Sequence, residues 1–133
     1  MNKEIDKLAW LFIRNGKLLS ARSKNKALFY LPGGKREQGE SDEQALIREI
    51  QEEVSVCLTL DSVKYAGTFT AQADEKGDEI NVRLTCYFAD YQGELFPDAE
   101  IEEIEFISYQ DRNRCSLGSI KVMDWLKEQG LIQ

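Results

Sequence analysis

The sequence predicts a mixed α/β domain in which a β-sheet lies between helices. Segments with strand-like patterns outnumber helical ones, two helical segments are available to cover the faces of a sheet, and 42% of the residues are hydrophobic. A chain of 133 residues is long enough to form a core and too short for two ordinary domains. We therefore expect a single domain over residues 1–133.

The N-terminal part is predicted to be mainly strand. An apolar strand over residues 8–13 is followed by Asn15-Gly16, a dipeptide typical of tight hairpin turns, and by a second strand over residues 17–23. A short strand over residues 28–31 is expected to stop at Pro32-Gly33-Gly34, because this sequence should not continue a strand.

The clearest helix signal covers residues 41–54. Ser41 fits the N-cap position, and Gln44 three residues later completes the pattern of a capping box. The second helix is predicted over residues 119–129, and Gly130 is expected to end it. Its inward-facing residues are predicted to be Ile120, Val122, Met123 and Leu126.

Strands and loops alternate between these two helices. Strands are predicted over residues 58–60, 63–70, 80–91 and 104–109, and a polar loop over residues 71–79 contains Gly77. The segment at 80–91 shows the clearest alternation, since an apolar residue occupies every second position from Ile80 to Phe88. Gly93 is expected to turn the chain after it.

Composition and charge exclude several classes of function. The chain has 17 Lys and Arg against 24 Asp and Glu, a formal net charge of −7, and no histidine. The lack of histidine excludes Ser-His-Asp and Cys-His catalysis and a His-bound zinc. The negative charge disfavours binding to a nucleic-acid polymer. If the protein binds phosphate, a divalent cation is expected to offset its acidity, and the general base is expected to be a carboxylate.

The three cysteines and the N-terminus indicate a compartment. Cys57, Cys86 and Cys115 are far apart and form no C-x-x-C pair, so they are expected to be structural thiols under reducing conditions. The apolar run at residues 8–13 is too short for a signal peptide or a membrane span. We therefore expect a cytoplasmic protein with no membrane partner.

The first helix carries an acidic stripe. Glu49, Glu52 and Glu53 share one face because offsets of three and four return to the same side of a helix, and the apolar stripe of Ile47, Ile50 and Val54 lies roughly opposite. Clustered carboxylates repel one another, yet they suit Mg²⁺, which takes oxygen ligands and shares substrate phosphates. The stripe therefore predicts a magnesium site, at which a further glutamate could accept a proton from attacking water.

At this point the residues match a family pattern. Gly34 is followed after five residues by Glu40, and after seven more by the run Arg48-Glu49-Ile50-Gln51-Glu52-Glu53-Val54-Ser55-Val56. This segment resembles the Nudix box G-x5-E-x7-R-E-U-x-E-E-x-G-U, where U is a bulky aliphatic residue. It departs from the pattern only at Ser55, which replaces a glycine expected to end the helix in a left-handed conformation. The preceding Leu31-Pro32-Gly33-Gly34-Lys35 is similar to the MutT-like subgroup.

The resemblance implies an α/β/α sandwich with a mixed sheet, and site residues within the box. Glu52 and Glu53 resemble metal ligands, Glu49 resembles a residue that acts as ligand or general base, and Arg48 resembles the arginine that orients a catalytic glutamate. Glu40 is similar to the box glutamate near the metal cluster, and the carbonyl of Gly33 is implied as a further ligand. Gly34 and Lys35 are expected to contact substrate.

Several residues outside the box are weaker candidates. Glu100, and after it Glu103, is expected to add a metal-binding or basic carboxylate. Arg22, and with similar weight Arg83, is expected to contact phosphate. The sequence leaves open which aromatic residue stacks on the base; the four candidates are Tyr30, Phe69, Tyr87 and Phe106. Base selectivity is placed in the loop at residues 110–116, which contains Asn113.

The resemblance implies hydrolysis of a nucleoside diphosphate linked to another moiety, with Mg²⁺ as cofactor and Mn²⁺ as a substitute. The first candidate substrate is an ordinary or oxidised nucleoside triphosphate that releases pyrophosphate. The alternatives are ADP-ribose, another nucleotide-sugar or a dinucleotide, and a nucleotide-binding domain without catalysis. The expected partner is a small nucleotide, and the protein is expected to be a monomer or a homodimer.

Overall fold

The computed structural model describes residues 3–74 and 80–133. Two α-helices, α1 (Asp42–Val54) and α2 (Leu117–Glu128), accompany nine strands in this part of the chain. The strands, in chain order, are β1 (Lys3–Leu11), β2 (Ile13–Arg14), β3 (Lys17–Ser23), β4 (Gly33–Gly34), β5 (Cys57–Leu58), β6 (Lys64–Gln72), β7 (Ile80–Phe88), β8 (Tyr91–Gln92) and β9 (Ile101–Ile107). Short 3-10 helices cover Leu60–Ser62 and Tyr109–Arg114.

The main sheet has four strands in the order β4-β1-β7-β6. It is mixed, because β1 and β7 run parallel while β4 and β6 pair antiparallel with their neighbours. Smaller sheets contain β2-β3-β9 and β5-β8. The mixed α/β fold class is therefore confirmed.

Strand β1 divides the interior into two cores because successive side chains point to opposite faces. Leu8 and Trp10 pack in one buried cluster with the apolar side of α1. Ala9 and Leu11 pack in the other with Met123 and its neighbours on α2. Each helix therefore covers one face of the sheet, which is the predicted layered arrangement.

Local signals placed helix α1 correctly. Ser41 is its N-cap, and both bonds of the capping box with Gln44 are present. The helix ends at Ser55, whose φ of 69° is left-handed, the conformation expected of the glycine that it replaces. The hairpin turn is also as predicted, since Asn15 and Gly16 both have positive φ between β2 and β3.

Several strand boundaries differ from the prediction. Strand β1 begins at Lys3 because its polar first half pairs with β7, and the residues at 13–14 form a separate strand. The segment at 80–91 is divided into β7 and β8, and β5 ends at Leu58. Residues 28–31 make only isolated bridges, through Phe29 and Tyr30.

The bridged segment ends before Pro32, in line with the predicted stop, but the sequence does not predict that the glycines after it pair. Gly33 and Gly34 themselves form strand β4 and pair with Ala9 and Leu8 of β1. At other segments the observed starts of the elements differ less from the predicted ones. Helix α2 begins at Leu117 rather than 119, and β9 begins at Ile101 rather than 104. Of the predicted loop at 71–79, residues 71–72 belong to β6, and residues 75–79 with Gly77 lie outside the described part.

The cysteines are all free thiols. Cys86 and Cys115 are buried, and burial raises the pKa of the Cys86 thiol to about 12 and that of Cys115 to about 11. Such thiols are poor nucleophiles, in keeping with a structural role. Neither of the helices in the described part is long and apolar enough to cross a membrane.

Candidate active site

Arg48 lies at the centre of the acidic face of α1. Its guanidinium donates a forked pair of hydrogen bonds to the carboxylate of Glu40, at 2.8 and 2.9 Å. The Nη1 group donates to Oε1 of Glu49 at 3.0 Å and lies 3.4 Å from Oε1 of Glu52. Arg48 also donates to the carbonyl of Lys35 at 3.1 Å, so it ties the helix to the preceding loop.

The charged groups around Arg48 shift one another's pKa values. The Arg48 guanidinium, together with the backbone N–H of Glu37, holds the pKa of Glu40 at about 2. The same hydrogen bond to Glu40 raises the pKa of Arg48 above its ordinary value. Partial burial outweighs Arg48 at Glu49 and raises the pKa of that carboxyl. Glu40 is therefore fully ionised and held by Arg48, whereas Glu49 is nearer to accepting a proton.

The two glycines of β4 bring the backbone against the acidic face. The N–H of Gly33 donates to Oε1 of Glu53 at 3.0 Å. A Cβ atom at Gly34 would overlap the carboxylate of Glu49, and one at Gly33 would overlap the carbonyl of Leu8. At Gly33 only glycine fits, because the backbone of Leu8 cannot shift, whereas at Gly34 a side chain would displace the carboxylate of Glu49.

Glu53 is the most perturbed carboxylate of the stripe. Burial raises its pKa to about 7, against the hydrogen bond from Gly33, which lowers it. The ionised carboxylate is thus costly in the metal-free protein. A cation beside Glu53 would offset that cost.

The donor chemistry of these residues fits Mg²⁺ or Mn²⁺. Glu49, Glu52 and Glu53 present hard oxygen atoms from one helix face, and Gly34 leaves room for Glu49 against β4. Among residues 3–74 and 80–133, however, no three acidic side chains converge closely enough to form a ready-made metal group. In this conformation Glu49 and Glu52 turn towards Arg48 instead, so ligation requires them to rotate.

A cavity of about 350 Å³ opens on the other side of β4. Gly33 and Glu53 form part of its wall, and the remainder comes from β1, β7, the end of β3, the start of β9, the start of α2, residues 73–74 and residues near Tyr30. The cavity therefore reaches the half-buried carboxylate of Glu53 beside Gly33. The arrangement joins an acidic, cation-compatible face to a pocket with both apolar and polar lining residues.

Two of the predicted residues outside the acidic helix are engaged with each other. Arg22 donates to Oε1 of Glu103 at 3.1 Å and to the carbonyl of Lys26 at 3.0 Å. Its side chain also lies 3.5 Å from Glu102. The predicted phosphate contact of Arg22 would need these bonds to open. Arg83 is exposed on β7, opposite Asp6 of β1.

Glu100 lies in the exposed turn before β9, where its carbonyl accepts from the N–H of Lys24 at 2.8 Å. The next residue, Ile101, lines the cavity that Glu53 also lines. The N–H of Asp98 in the same turn donates to the carbonyl of Glu53 at 2.9 Å. This turn is therefore next to the end of α1, and the metal-binding role of Glu100 stays a prediction.

The four aromatic candidates are separated by the fold. Tyr30 lines the cavity. Phe69 packs on Trp125, Tyr87 donates to Asp42 at 2.7 Å, and Phe106 lies under the guanidinium of Arg14. Tyr30 is therefore the candidate in position to contact a ligand there. Of the predicted selectivity loop, Ser116 lines the cavity, whereas Asn113 is exposed.

Sequence reasoning did not identify three of the residues that line the cavity. The sequence pattern assigns no functional role to Lys7, Asp74 or Ser119, yet all three line the cavity. Asp74 accepts from the N–H of Leu117 at 3.0 Å, and Ser119 is buried at the start of α2. A signal existed for Lys7, because it interrupts an apolar series at alternate positions in β1.

Comparisons with known proteins identify the family and agree with the fold. The model of the NUDIX domain family matches residues 7–126 of the chain. A search of curated protein sequences gave no match.

Three solved structures illustrate the structural similarity. The Escherichia coli ORF135 protein is 25% identical, with a TM-score of 0.71 over 95% of this chain and 92% of that one. A MutT NUDIX hydrolase from Burkholderia pseudomallei is 21% identical, with a TM-score of 0.68 over 82% and 86% of the two chains. A bifunctional NMN adenylyltransferase/ADP ribose pyrophosphatase from Francisella tularensis, complexed with AMP and a manganese ion, is 20% identical, with a TM-score of 0.70 over 97% and 42%.

Proposed function

Because the chain belongs to the Nudix family and is a Nudix hydrolase, we propose that it hydrolyses a nucleoside triphosphate to the monophosphate and pyrophosphate with Mg²⁺. The wider class, a nucleoside diphosphate linked to another moiety, includes the alternatives ADP-ribose, other nucleotide-sugars and dinucleotides. Mn²⁺ is the expected substitute for Mg²⁺.

One observation carries this proposal. Glu53 belongs both to the acidic face of α1 and to the wall of the cavity, which it meets beside Gly33. A ligand that fills the cavity therefore places its adjoining end beside the carboxylates. A nucleotide has the matching division, because an uncharged base with polar edges lies at one end and a charged phosphate chain lies at the other.

The residues of α1 take distinct roles in this proposal. Glu49, Glu52 and Glu53 would hold the ion, with the Gly33 carbonyl and Glu40 as further candidates. The ion supplies charge neutralisation at phosphate and lowers the pKa of water. Arg48, held by Glu40 in a forked geometry, keeps Glu49 oriented. Glu49 is the first candidate to take the proton of the attacking water, because it occupies the position of the family box that acts as ligand or general base.

Two observations support a triphosphate over the alternatives. The Leu31–Lys35 segment resembles the MutT-like subgroup, and structures described as MutT proteins are among those with the same fold. The binding-domain alternative is less well supported, since a domain that only bound nucleotide would not need Glu49, Glu52 and Glu53 together. ADP-ribose is the alternative substrate to test against a triphosphate, because one structural neighbour is described as an ADP ribose pyrophosphatase.

A substrate panel tests the proposal directly. The purified protein would be assayed with Mg²⁺ against 8-oxo-dGTP, the canonical nucleoside triphosphates, ADP-ribose and a dinucleoside polyphosphate, scored by kcat/KM and product identity. We expect the highest kcat/KM with a triphosphate, release of pyrophosphate, and no turnover with EDTA. A highest value with ADP-ribose would favour the sugar-nucleotide alternative, and nucleotide binding without any turnover would favour the binding domain.

A further inference from the structure

Arg36 attaches the loop between β4 and α1 (residues 35–41, the β4–α1 loop) to strand β1. Strand β4 pairs antiparallel with β1, and Gly34 lies opposite Leu8. Continuing this register by two residues places Arg36 opposite Asp6, and its Nη1 group donates to Oδ2 of Asp6 at 2.7 Å. The loop is therefore still bonded to β1 after strand β4 has ended.

The same guanidinium also contacts the first turn of α1. Its Nε group donates to Oδ1 of Asp42 at 2.6 Å, and the hydroxyl of Tyr87 on β7 donates to the other oxygen of Asp42 at 2.7 Å. The hydrogen bond from Arg36 is the main cause that lowers the pKa of Asp42, so this carboxylate is ionised at neutral pH. Only 29% of each of the two side chains is exposed, so the pair is less accessible to water than an ordinary surface ion pair.

The β4–α1 loop carries acceptors for Arg48. The carbonyl of Lys35 accepts from Nη2 of Arg48 at 3.1 Å, and the carboxylate of Glu40 accepts the forked pair of hydrogen bonds. Two further acceptors, Glu49 and Glu52, lie on α1 itself. Arg48 is thus shared between the loop and the acidic face of the helix.

Cation binding would make the loop contacts of Arg48 more important. Glu49 and Glu52 turn towards Arg48 in this conformation, and in the proposed function they rotate to hold the ion. The position of Arg48 then depends on its partners in the β4–α1 loop, and the loop in turn is held by the two ion pairs of Arg36. Loss of Arg36 should therefore affect the cation-bound protein more than the metal-free fold.

We propose that Arg36 is a positioning residue that holds the β4–α1 loop, and through it Arg48, in place when a divalent cation binds the acidic face of α1. This inference rests on the proposed metal-dependent hydrolysis and adds a residue outside the proposed ligand set. Residues that orient the groups around a metal typically change metal affinity or activity about 10- to 100-fold when they are removed.

The experiment removes the two partners of one ion pair separately and together. The variants are Arg36→Met, Asp6→Asn and the double variant; Asp6 is chosen over Asp42, whose charge also favours the N-terminus of α1. Arg14→Met is the matched control, because Arg14 is an exposed arginine whose bond to Tyr91 and contacts with two aromatic rings lie outside the loop and α1. Calorimetric titration with Mg²⁺ and Mn²⁺, Tm in EDTA, and kcat and KM at saturating Mg²⁺ are measured for each protein.

We expect Arg36→Met to weaken Mg²⁺ binding about tenfold and to lower kcat about 10- to 100-fold, with KM for the nucleotide within about twofold. Its Tm in EDTA should stay close to that of wild type, because partly exposed ion pairs contribute little to the free energy of unfolding. Asp6→Asn should cause a smaller loss of affinity, and the double variant should bind no more weakly than Arg36→Met, because both changes break the same contact. Arg14→Met should match wild type.

The direction of the change in affinity distinguishes positioning from simple electrostatics. Removing a positive charge beside an acidic face would by itself strengthen cation binding. Wild-type or tighter Mg²⁺ affinity in Arg36→Met would therefore overturn the proposal, as would an unchanged kcat. Affinity losses of the two single variants that add in the double variant, or an equal loss in Arg14→Met, would also contradict it.

The readouts also separate this inference from the proposed function. A wild-type protein that binds Mg²⁺ but hydrolyses no nucleotide would overturn the proposed function, and the titrations alone would then decide the role of Arg36. Hydrolysis by the wild type together with unchanged Mg²⁺ affinity in Arg36→Met would overturn the inference alone. A wild type that binds neither Mg²⁺ nor Mn²⁺ would overturn both.

Discussion

Glu53 places a carboxylate at the point where the acidic face of α1 meets the cavity, in a partly desolvated position. Its carboxylate accepts from the N–H of Gly33 at 3.0 Å and lines the cavity. Desolvation raises its pKa to about 7, so the metal-free fold disfavours its ionised form. Functional sites often contain residues that the fold holds in an energetically unfavourable state. Such residues lower the stability of the protein.

Glu53→Gln should lower kcat by about 10²- to 10⁴-fold while the protein stays folded, because the amide keeps the acceptor for Gly33 but loses the anionic oxygen. The measurement is steady-state hydrolysis with Mg²⁺ and the best substrate of the panel. Glu43→Gln on the same helix is the matched control, since Glu43 is exposed in the first turn and outside the acidic face. Near-normal activity of Glu53→Gln would contradict the proposed site.

The same variant should be more stable than wild type at neutral pH without divalent cations. The pKa of Glu53 is raised from its ordinary 4.5 to about 7 in the fold. Its contribution to stability is therefore present below pH 4.5 and lost as pH rises to about 7. The raised pKa is equivalent to about 3 kcal/mol at most.

Urea unfolding in EDTA at pH 4.5 and pH 8 measures this effect. The advantage of Glu53→Gln over wild type should be larger at pH 8, because glutamine does not titrate. A constant difference across this range would show that Glu53 is not penalised by burial.

At the scale of elements, the C-terminal end of α1 is held by the turn before β9. The carbonyls of Glu53 and Val54 accept from the N–H groups of Asp98 and Phe96, at 2.9 and 3.0 Å. The hydroxyl of Ser55 donates to the carbonyl of Phe96 at 3.0 Å. These bonds satisfy carbonyls that a helix end leaves without partners, and they place the last turn, which carries Glu52 and Glu53.

Substitutions at Ser55 should separate its two effects. Ser55→Ala keeps the left-handed backbone and loses the hydroxyl bond to Phe96, so it should lower the free energy of unfolding by about 1 kcal/mol. Ser55→Gly loses the same bond but removes a conformational cost of roughly 1 kcal/mol, so it should be near neutral. Equilibrium urea unfolding measures both. An alanine variant as stable as wild type would show that the hydroxyl bond contributes nothing.

Strand β4 makes a second element-scale prediction, because its two glycines meet different groups. Gly34→Ala places a methyl group on the carboxylate of Glu49 and should lower kcat about 10- to 100-fold with little loss of stability. Gly33→Ala meets the backbone of Leu8 and should mainly destabilise the fold. Activity and thermal unfolding of both variants test the distinction. Equal effects of the two on both properties would contradict it.

At the scale of the whole molecule, the fold connects groups that lie on the two faces of the main sheet. The acidic helix lies on one face and most of the cavity on the other, and β4 at the sheet edge lets them meet. The net charge of −7 is partly concentrated in the face of α1, which suits a cation and disfavours a nucleic-acid polymer. Charge distribution, rather than net charge, is what fits the protein to a small phosphate ligand.

In the proposed function a divalent cation binds the native acidic face and not the unfolded chain, so divalent cations should stabilise the whole fold. At about one hundred times its Kd, a single ion adds roughly 2.7 kcal/mol to the free energy of unfolding. Thermal unfolding with Mg²⁺, Mn²⁺ and EDTA measures the rise in Tm. Glu53→Gln should lose most of that rise and Glu43→Gln should keep it. An equal rise in both variants would place the cation elsewhere.

The sequence by itself determined the features that depend on neighbours a few residues apart. The capping box of Ser41 and Gln44, the hairpin at Asn15 and the single stripe of Glu49, Glu52 and Glu53 follow from local geometry. Helix periodicity and turn chemistry act within one or two turns of chain, so they can be recognised before any fold is known.

Only the tertiary structure decided which distant segments meet. It paired the glycines at 33–34 with β1, tied Arg48 to Glu40, engaged Arg22 with Glu103 and brought Lys7 of β1 into one cavity with Ser119 of α2. These contacts depend on strand register and on the packing of two helices against opposite faces of one sheet. A single sequence does not show which of many possible strand registers forms, because the register depends on burial across the whole molecule.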